Sequence, residues 1–243
     1  MTLLEDMLSV LQFTWLDAAA LALFIALWVG YQWYADYGGA SRPQLGREME
    51  RFVRAWMEQM VGRDNRMVDV NILRNLMRSS QFFASTTMLI LGALVALMGY
   101  AERVAIVVAD LPFGLQVSSR LWELKIMLLL LIFVYAFFKF TWSLRQFGFS
   151  SILVGAARKP PTDASDYAPD IERIAVILSF ANRNFNQGLR AYYFGVAALS
   201  WFLHPWLMIA AALWVMIVLY QREFGSKTLK AMIEEDRSPT VNP

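Results

Sequence analysis

The sequence contains no cysteine and only one histidine, His204. The missing thiols exclude disulfides, thiolate metal sites, iron–sulfur clusters and cysteine nucleophiles. A single histidine also excludes a zinc site built from several histidines, or a pair of haem ligands within one chain. The sequence has no phosphate-binding loop, dinucleotide fingerprint or nucleophile elbow. We therefore predict a protein that is not an enzyme and that holds no cofactor and no metal.

Charge is scarce as well. Charged residues make up 17% of the 243 residues and hydrophobic residues 58%, whereas soluble domains average about 25% and about 45–50%. The apolar excess is clustered in runs long enough to cross a bilayer, which takes about 20 residues of helix. The net charge of +2 gives no reason to expect a nucleic-acid partner. The composition predicts an all-α integral membrane protein.

Five transmembrane helices are predicted, at residues 15–34, 82–100, 121–143, 182–203 and 206–220. The last apolar region is ambiguous, because it could be one tilted helix or two helices that meet at His204 and Pro205. We favour two, since Trp201 and Trp206 flank this step and tryptophan concentrates at membrane interfaces. Proline also disfavours helical geometry in the residue before it. Because residues 191–203 span only about 20 Å, the fourth helix must include the polar stretch 182–190.

The basic residues predict the orientation. Of the 22 Lys and Arg residues, 18 lie in segments 35–80, 144–190 and 221–243, and two lie in segment 101–120. The positive-inside rule places the basic segments in the cytoplasm. The N-terminus is then outside and the C-terminus inside. Residues 1–14 lack the positive charge that opens a signal peptide, so the first apolar run is expected to stay in the protein.

The segment 44–61 predicts an amphipathic helix, because its apolar residues recur at helical spacing and its charged residues occupy other faces. We expect it to lie on the inner leaflet or to pack beneath the bundle. Gly62 ends it, and Asp64 or Asn65 is suited to cap a helix that runs from Arg66 into the second span. We interpret residues 1–234 as a single transmembrane domain, 159–170 as a flexible acidic connection and 235–243 as a disordered tail.

Two pairs of short segments resemble each other. RNL (74–76) precedes the second span and RNF (183–185) lies in the inner part of the fourth, while RQFG (145–148) follows the third and REFG (222–225) follows the fifth. This pattern indicates a duplicated helical hairpin, in which each returning helix ends at Arg-x-Phe-Gly. Such repeats occur in transporters, but also in bundles that transport nothing.

The sequence resembles a known family in several places. The carrying segments are YQWYADYG (31–38), SRP (41–43), WM (56–57), RDNR (63–66) with Asp69, and FFASTT (82–87). Together they resemble the membrane family catalogued as domain of unknown function 599 (DUF599), and the resemblance covers most of the chain. It implies a multi-pass protein of the bacterial inner membrane. It implies no activity and no catalytic residue.

Charged residues near the ends of the spans could form pairs. Asp17 and Lys125 lie at similar depth near the outer ends of the first and third spans, and Asp36 and Lys139 stand in the same relation near the inner ends. Charges in hydrocarbon are costly unless paired or hydrated. One interpretation is an ion or proton path along these helices. The other, which we favour, is structural pairing or snorkelling at the interfaces.

A second candidate site is a basic vestibule open to the cytoplasm. Its residues recur at helical spacing in the inner parts of the second and fourth helices: Arg74, Arg78, Arg183, Asn186 and Arg190. Arginine binds phosphate and carboxylate through bidentate contacts, so a small anion or a lipid headgroup is the expected ligand. Both stretches could instead be ordinary solvated helix ends.

The leading functional hypothesis is a non-enzymatic accessory or scaffold subunit of a membrane assembly. Its expected partners are membrane lipids and either a second copy or another membrane protein. The alternative is a transporter or channel for a small anion or lipid headgroup that uses the basic vestibule. An intramembrane enzyme ranks third, because its candidate carboxylates, Asp36, Asp64 and Asp69, would have to converge on one cavity.

Overall fold

A computed structural model describes residues 14–38, 43–100, 119–158 and 168–234, and the regular secondary structure in these ranges is helical. The helices are α1 (Trp15–Trp33, continued by a π-helical turn, Tyr34–Gly38), α2 (Leu45–Val61), α3 (Met67–Met98), α4 (Ser119–Ala156), α5 (Ala168–Leu199), α6 (Pro205–Phe224) and α7 (Lys227–Glu234). The predicted tail at 235–243, most of the acidic connection and most of the loop at 101–120 lie outside the described residues, as do residues 1–13.

By length and composition, four helices can cross a membrane: Trp15–Gly38, Met67–Met98, Arg120–Ala156 and Pro205–Ile233. This supports the predicted membrane class. α5 has 32 residues, about 48 Å of helix, so it is long enough. Its inner half carries the polar run NRNFNQGLR (182–190), which lowers its hydropathy. The count of five spans and their orientation stay predictions.

The region after α5 is divided into two helices. α5 ends at Leu199, a short 3₁₀ turn covers Ser200–Phe202, and α6 begins at Pro205. The His204 Nδ1 atom accepts a hydrogen bond from the Trp206 backbone N–H at 3.2 Å, and proline at the first helical position needs no such partner. This local hydrogen bonding stabilises the start of α6.

The prediction that Trp201 marks the membrane interface is wrong. Trp201 is fully buried, so it packs inside the protein and is not a lipid-facing interface residue. Trp206 is exposed, as expected for a tryptophan that contacts the membrane surface. The helix boundary lies where it was predicted, but Trp201 lies there as a buried packing residue.

The predicted equivalence of the two returning helices is also wrong at one end. α6 ends at Phe224, just before Gly225. α4, however, continues through Arg145 and Gly148 to Ala156. The extension is held by packing, because Val154 is buried in a cluster with Ile171, Ile174 and other apolar residues. A glycine in a helix interior costs only about 1 kcal/mol, which such burial offsets.

The chain forms two compact units. The first comprises residues 1–34, 85–138 and 188–218. Its core is partly aromatic: the ring of Phe24 contacts Phe194 edge-on at 5.8 Å between centroids, and Trp28 contacts Tyr135 edge-on at 5.6 Å. Gly195 lies against the Phe133 ring, where an added Cβ would be 3.1 Å from the nearest ring carbon. These contacts join α1, α4 and α5.

The second unit comprises residues 35–84, 139–187 and 219–243. In it, α2 packs against α3, α4 and α5. Val53, Met57 and Met60 of α2 are buried in one cluster with Leu73 and Phe147. The helix begins one residue after the predicted start and ends at the predicted residue. Its position relative to the inner leaflet stays a prediction.

The RDNR segment organises the connection from α2 to α3. The Asn65 Oδ1 atom accepts from the Met67 N–H at 3.0 Å, which confirms Asn65 as a cap. Arg66 donates to the carbonyl oxygens of Val154 and Ala157 at 2.8 and 2.7 Å, and to that of Arg158 at 3.3 Å. Since the last carbonyls of a helix lack partners within it, Arg66 caps the C-terminus of α4.

Candidate functional site

The polar side chains of α5 contact groups on other helices. Arg183 lies 3.4 Å from Glu50 of α2, and the Asn184 Oδ1 atom accepts from the Lys139 Nζ at 3.4 Å. Gln187 donates to the Asp36 carboxylate. Arg183, Asn184 and Gln187, the polar row of α5, therefore each contact a group of complementary charge or dipole, which offsets part of the cost of removing them from water. The buried Gln187 Oε1 atom has no hydrogen-bond partner among the described residues.

Asp36 and Lys139 are brought to this same row. Asp36 lies in the π-helical turn that follows α1, and Lys139 lies in α4. The two side chains contact Gln187 and Asn184, which are three residues apart and so share one face of α5. A direct pair between Asp36 and Lys139 stays a prediction. The structure adds the two amides of α5, which the sequence did not connect with them.

Asp17 and Lys125 are joined by Trp201. The indole N–H of Trp201 donates to the Asp17 Oδ1 at 2.9 Å, and the Trp201 carbonyl accepts from the Lys125 Nζ at 2.8 Å. The ammonium group also lies 5.3 Å from the centre of the Trp201 ring, within the range of a cation–π contact. Asp17 and Lys125 are both buried. Their predicted pairing is thus mediated by a third residue.

Asp17 has a second role at the start of α1. Its Oδ2 atom accepts from the Thr14 hydroxyl at 2.6 Å and from the Thr14 N–H at 3.2 Å. The Asp17 N–H in turn donates to the Thr14 Oγ1 at 3.2 Å. This reciprocal arrangement is a capping box. Asp17 therefore links the N-terminus of α1 to the turn after α5, and a structural role accounts for its burial.

The five predicted vestibule residues occupy different environments. Arg74 and Arg78 are exposed on α3, Asn186 is half-buried, and Arg190 is only 6% exposed. The Arg190 guanidinium lies 5.8 Å from the centre of the Tyr31 ring. Arg183 lines a groove whose lining includes none of the other four. A ligand site formed by all five residues remains a prediction.

That groove lies between α2 and α5 and has a volume of about 470 Å³. Four arginines line it: Arg47, Arg51, Arg54 and Arg183. Three glutamates alternate with them: Glu50, Glu58 and Glu172. Arg54 forms a bidentate pair with Glu172, with distances of 2.8 and 2.9 Å.

Sequence reasoning placed only Arg183 of this groove in a candidate site. The signal for the others was present in α2, where Arg47, Glu50, Arg51, Arg54 and Glu58 recur at spacings of three and four residues and so share a face. The second wall comes from a segment more than 100 residues later. Nothing in the sequence shows that the two faces meet.

Asp69, which follows the RDNR segment, is held by two side chains of the second unit. Asp69 is fully buried, and its Oδ1 atom accepts from the Trp56 indole and from Arg63, both at 2.7 Å. These contacts tie α2 to the first turn of α3. Over the described ranges, no group of three or more His, Asp or Glu residues is arranged to hold a metal ion.

Four helices that are long and apolar enough to cross a membrane are consistent with a helical membrane protein. The chain belongs to the family described as "Protein of unknown function, DUF599", whose sequence profile matches residues 19–228. The match confirms the resemblance seen in the sequence. No curated protein and no solved structure matches the chain.

Proposed function

We propose that the protein is a non-enzymatic accessory or scaffold subunit in the bacterial inner membrane, with five spans and a cytoplasmic C-terminus. The observation that carries this proposal is the set of contacts made by charged residues in the predicted spans or near their ends. Asp17, Lys125, Asp36, Lys139 and Arg190 each contact another residue of the same chain. Because intramembrane charges usually serve either a transport path or internal structure, these contacts favour structure.

An exposed face of α3 supports association with a second membrane helix. Gly92 and Ala96 are four residues apart and exposed, and Leu89 on the same side is 75% exposed. No atom lies within 4 Å of a Cβ placed on Gly92. Small residues spaced by four let two helix backbones approach closely in a membrane. We propose that this face, Gly92–Ala96, packs against the partner helix.

Association is tested by replacing Gly92 with isoleucine. The side chain meets nothing within the chain, so the variant is expected to fold, but it separates the two backbones at the proposed contact. Light scattering after gentle detergent extraction should show that the association constant falls about tenfold. This corresponds to a loss of roughly 1.4 kcal/mol of association free energy. Gly30→Ile is the matched control, because Gly30 is also exposed on an apolar helix with open space at its Cβ.

Two outcomes contradict the proposal. A native protein that is strictly monomeric, with no co-purifying protein, removes the accessory role. Equal effects of Gly92→Ile and Gly30→Ile remove the assigned face.

The alternative function, transport of a small anion or lipid headgroup, predicts flux in proteoliposomes that is lost in Arg190→Gln. Flux without association would favour the transporter.

A further inference from the structure

The groove between α2 and α5 has charges of both signs in an accessible position. The Arg183 and Glu50 side chains are 36% and 42% exposed, and the nearest atoms of the pair are 3.4 Å apart. Exposed ion pairs of this kind are worth only about 0–1 kcal/mol. A ligand that carries both a cation and an anion can therefore replace these pairs without leaving a side chain unpaired.

The walls also offer apolar contact. Val176 and Phe180 of α5 line the groove beside the charged residues and are 37% and 46% exposed. Pockets of about 300–1,000 Å³ accommodate ligands of small-molecule size, and this groove is about 470 Å³. Charge of both signs in a space of this size matches a zwitterionic headgroup.

We propose that this groove binds the headgroup of phosphatidylethanolamine, with the phosphate against Arg47 and Arg183 and the ammonium against Glu50. Arginine suits the phosphate because its guanidinium donates two parallel hydrogen bonds. Glu50 accepts from the ammonium N–H groups, which the quaternary nitrogen of phosphatidylcholine lacks. Phosphatidylglycerol carries the phosphate without any cation.

The position along α5 favours a lipid as the source of this headgroup. Arg183 is the second residue of the predicted fourth span, so the five-span topology places this end of the groove at headgroup depth. The remainder of the groove extends along α5 to Glu172, eleven residues or about 16 Å further. The inference goes beyond the accessory role, because lipid binding here requires no protein partner.

The test is lipid titration of the full-length protein by native mass spectrometry. The delipidated protein in detergent receives phosphatidylethanolamine, phosphatidylglycerol or phosphatidylcholine with identical acyl chains. We expect phosphatidylethanolamine to bind about tenfold more tightly than either of the others. Equal binding of all three lipids, or preference for phosphatidylglycerol, would overturn the proposal.

Two variants locate the binding site. Glu50→Gln should weaken phosphatidylethanolamine binding about tenfold while leaving or strengthening phosphatidylglycerol binding, because only the former uses the carboxylate. Arg183→Gln should weaken both. Arg145→Gln and Glu123→Gln remove exposed charges outside the groove and should change neither. If Glu50→Gln weakens both lipids alike, or neither, the assigned pose is wrong. Circular dichroism of each variant establishes that the helices are retained.

Discussion

Trp201 makes polar contacts with two charged residues at once, through its indole N–H and its backbone carbonyl. The carbonyl contact with Lys125 survives any substitution of the side chain. The indole contact with Asp17 does not. Because Asp17 is 4% exposed, water cannot easily replace a lost donor. Loss of the indole N–H therefore leaves the buried Asp17 Oδ1 without this donor.

Trp201→Phe is expected to lower the stability of the protein by at least about 1–3 kcal/mol, the cost of leaving a buried acceptor without its donor. The smaller ring also leaves unfilled space. Thermal unfolding in detergent, followed by circular dichroism, measures the change. Trp206→Phe is the control, because Trp206 is 61% exposed and should unfold at nearly the native temperature. Equal shifts for the two variants would contradict the role of the indole contact.

Helix α4 shows what a distant residue contributes to one element. Its C-terminal turn lies beyond the predicted end of the span, and Arg66 caps it from the connection between α2 and α3. Without Arg66 the last carbonyl groups of α4 would depend on water. The cap therefore couples the length of α4 to the geometry of the RDNR segment.

Arg66→Gln should fray the end of α4 without unfolding the protein. Its shorter side chain cannot reach three carbonyl oxygens at once, and loss of a helix cap typically costs about 0.5–2 kcal/mol. Hydrogen–deuterium exchange at residues 150–158 should then accelerate, while exchange in α1 stays unchanged. Arg74→Gln, an exposed substitution on α3, serves as the control. Unchanged exchange in Arg66→Gln would show that the cap does not hold the turn.

The elements differ in how well the sequence predicted them. α2 was predicted to within one residue, because its heptad-like apolar pattern and Gly62 are local signals. The extension of α4 was missed, since it depends on burial of Val154 against α5. The burial of Trp201 was missed for the same reason. The groove was missed because its walls come from separate segments. The candidate charge pairs were proposed because their residues lie at matching depths in two spans.

At the scale of the whole molecule, the proposed topology gathers α2, the RDNR segment and α7 on one side of the membrane. The absence of cysteine makes this directly measurable, because a single introduced thiol is the only site that reacts with a maleimide. Glu58 and Lys230 are exposed on the proposed inner side, and Arg120 is exposed at the proposed outer end of α4.

An impermeant maleimide applied to intact cells should label Arg120→Cys. It should label Glu58→Cys and Lys230→Cys only after the membrane is permeabilised, since both are predicted to face the cytoplasm. The fraction labelled is read by a mass-tag shift on a gel. Labelling of positions 58 and 230 from opposite sides would exclude an even number of spans between them, and with it the proposed four.

The row of amides and arginines on α5 bears on how the protein is made. Such a helix partitions poorly into lipid alone, and the groups that complement it, Tyr31, Asp36 and Lys139, belong to α1, its π-helical turn and α4. Because α1 and α4 precede α5 in the sequence, these groups are synthesised first. In the proposed topology, α1 and α4 would remain beside the insertion channel until α5 emerges. The polar side chains of α5 would then contact their partners as the helix enters the bilayer. A nascent chain stripped of α1 would leave α5 stalled in the aqueous channel, exposed to the proteases that survey unfinished membrane proteins.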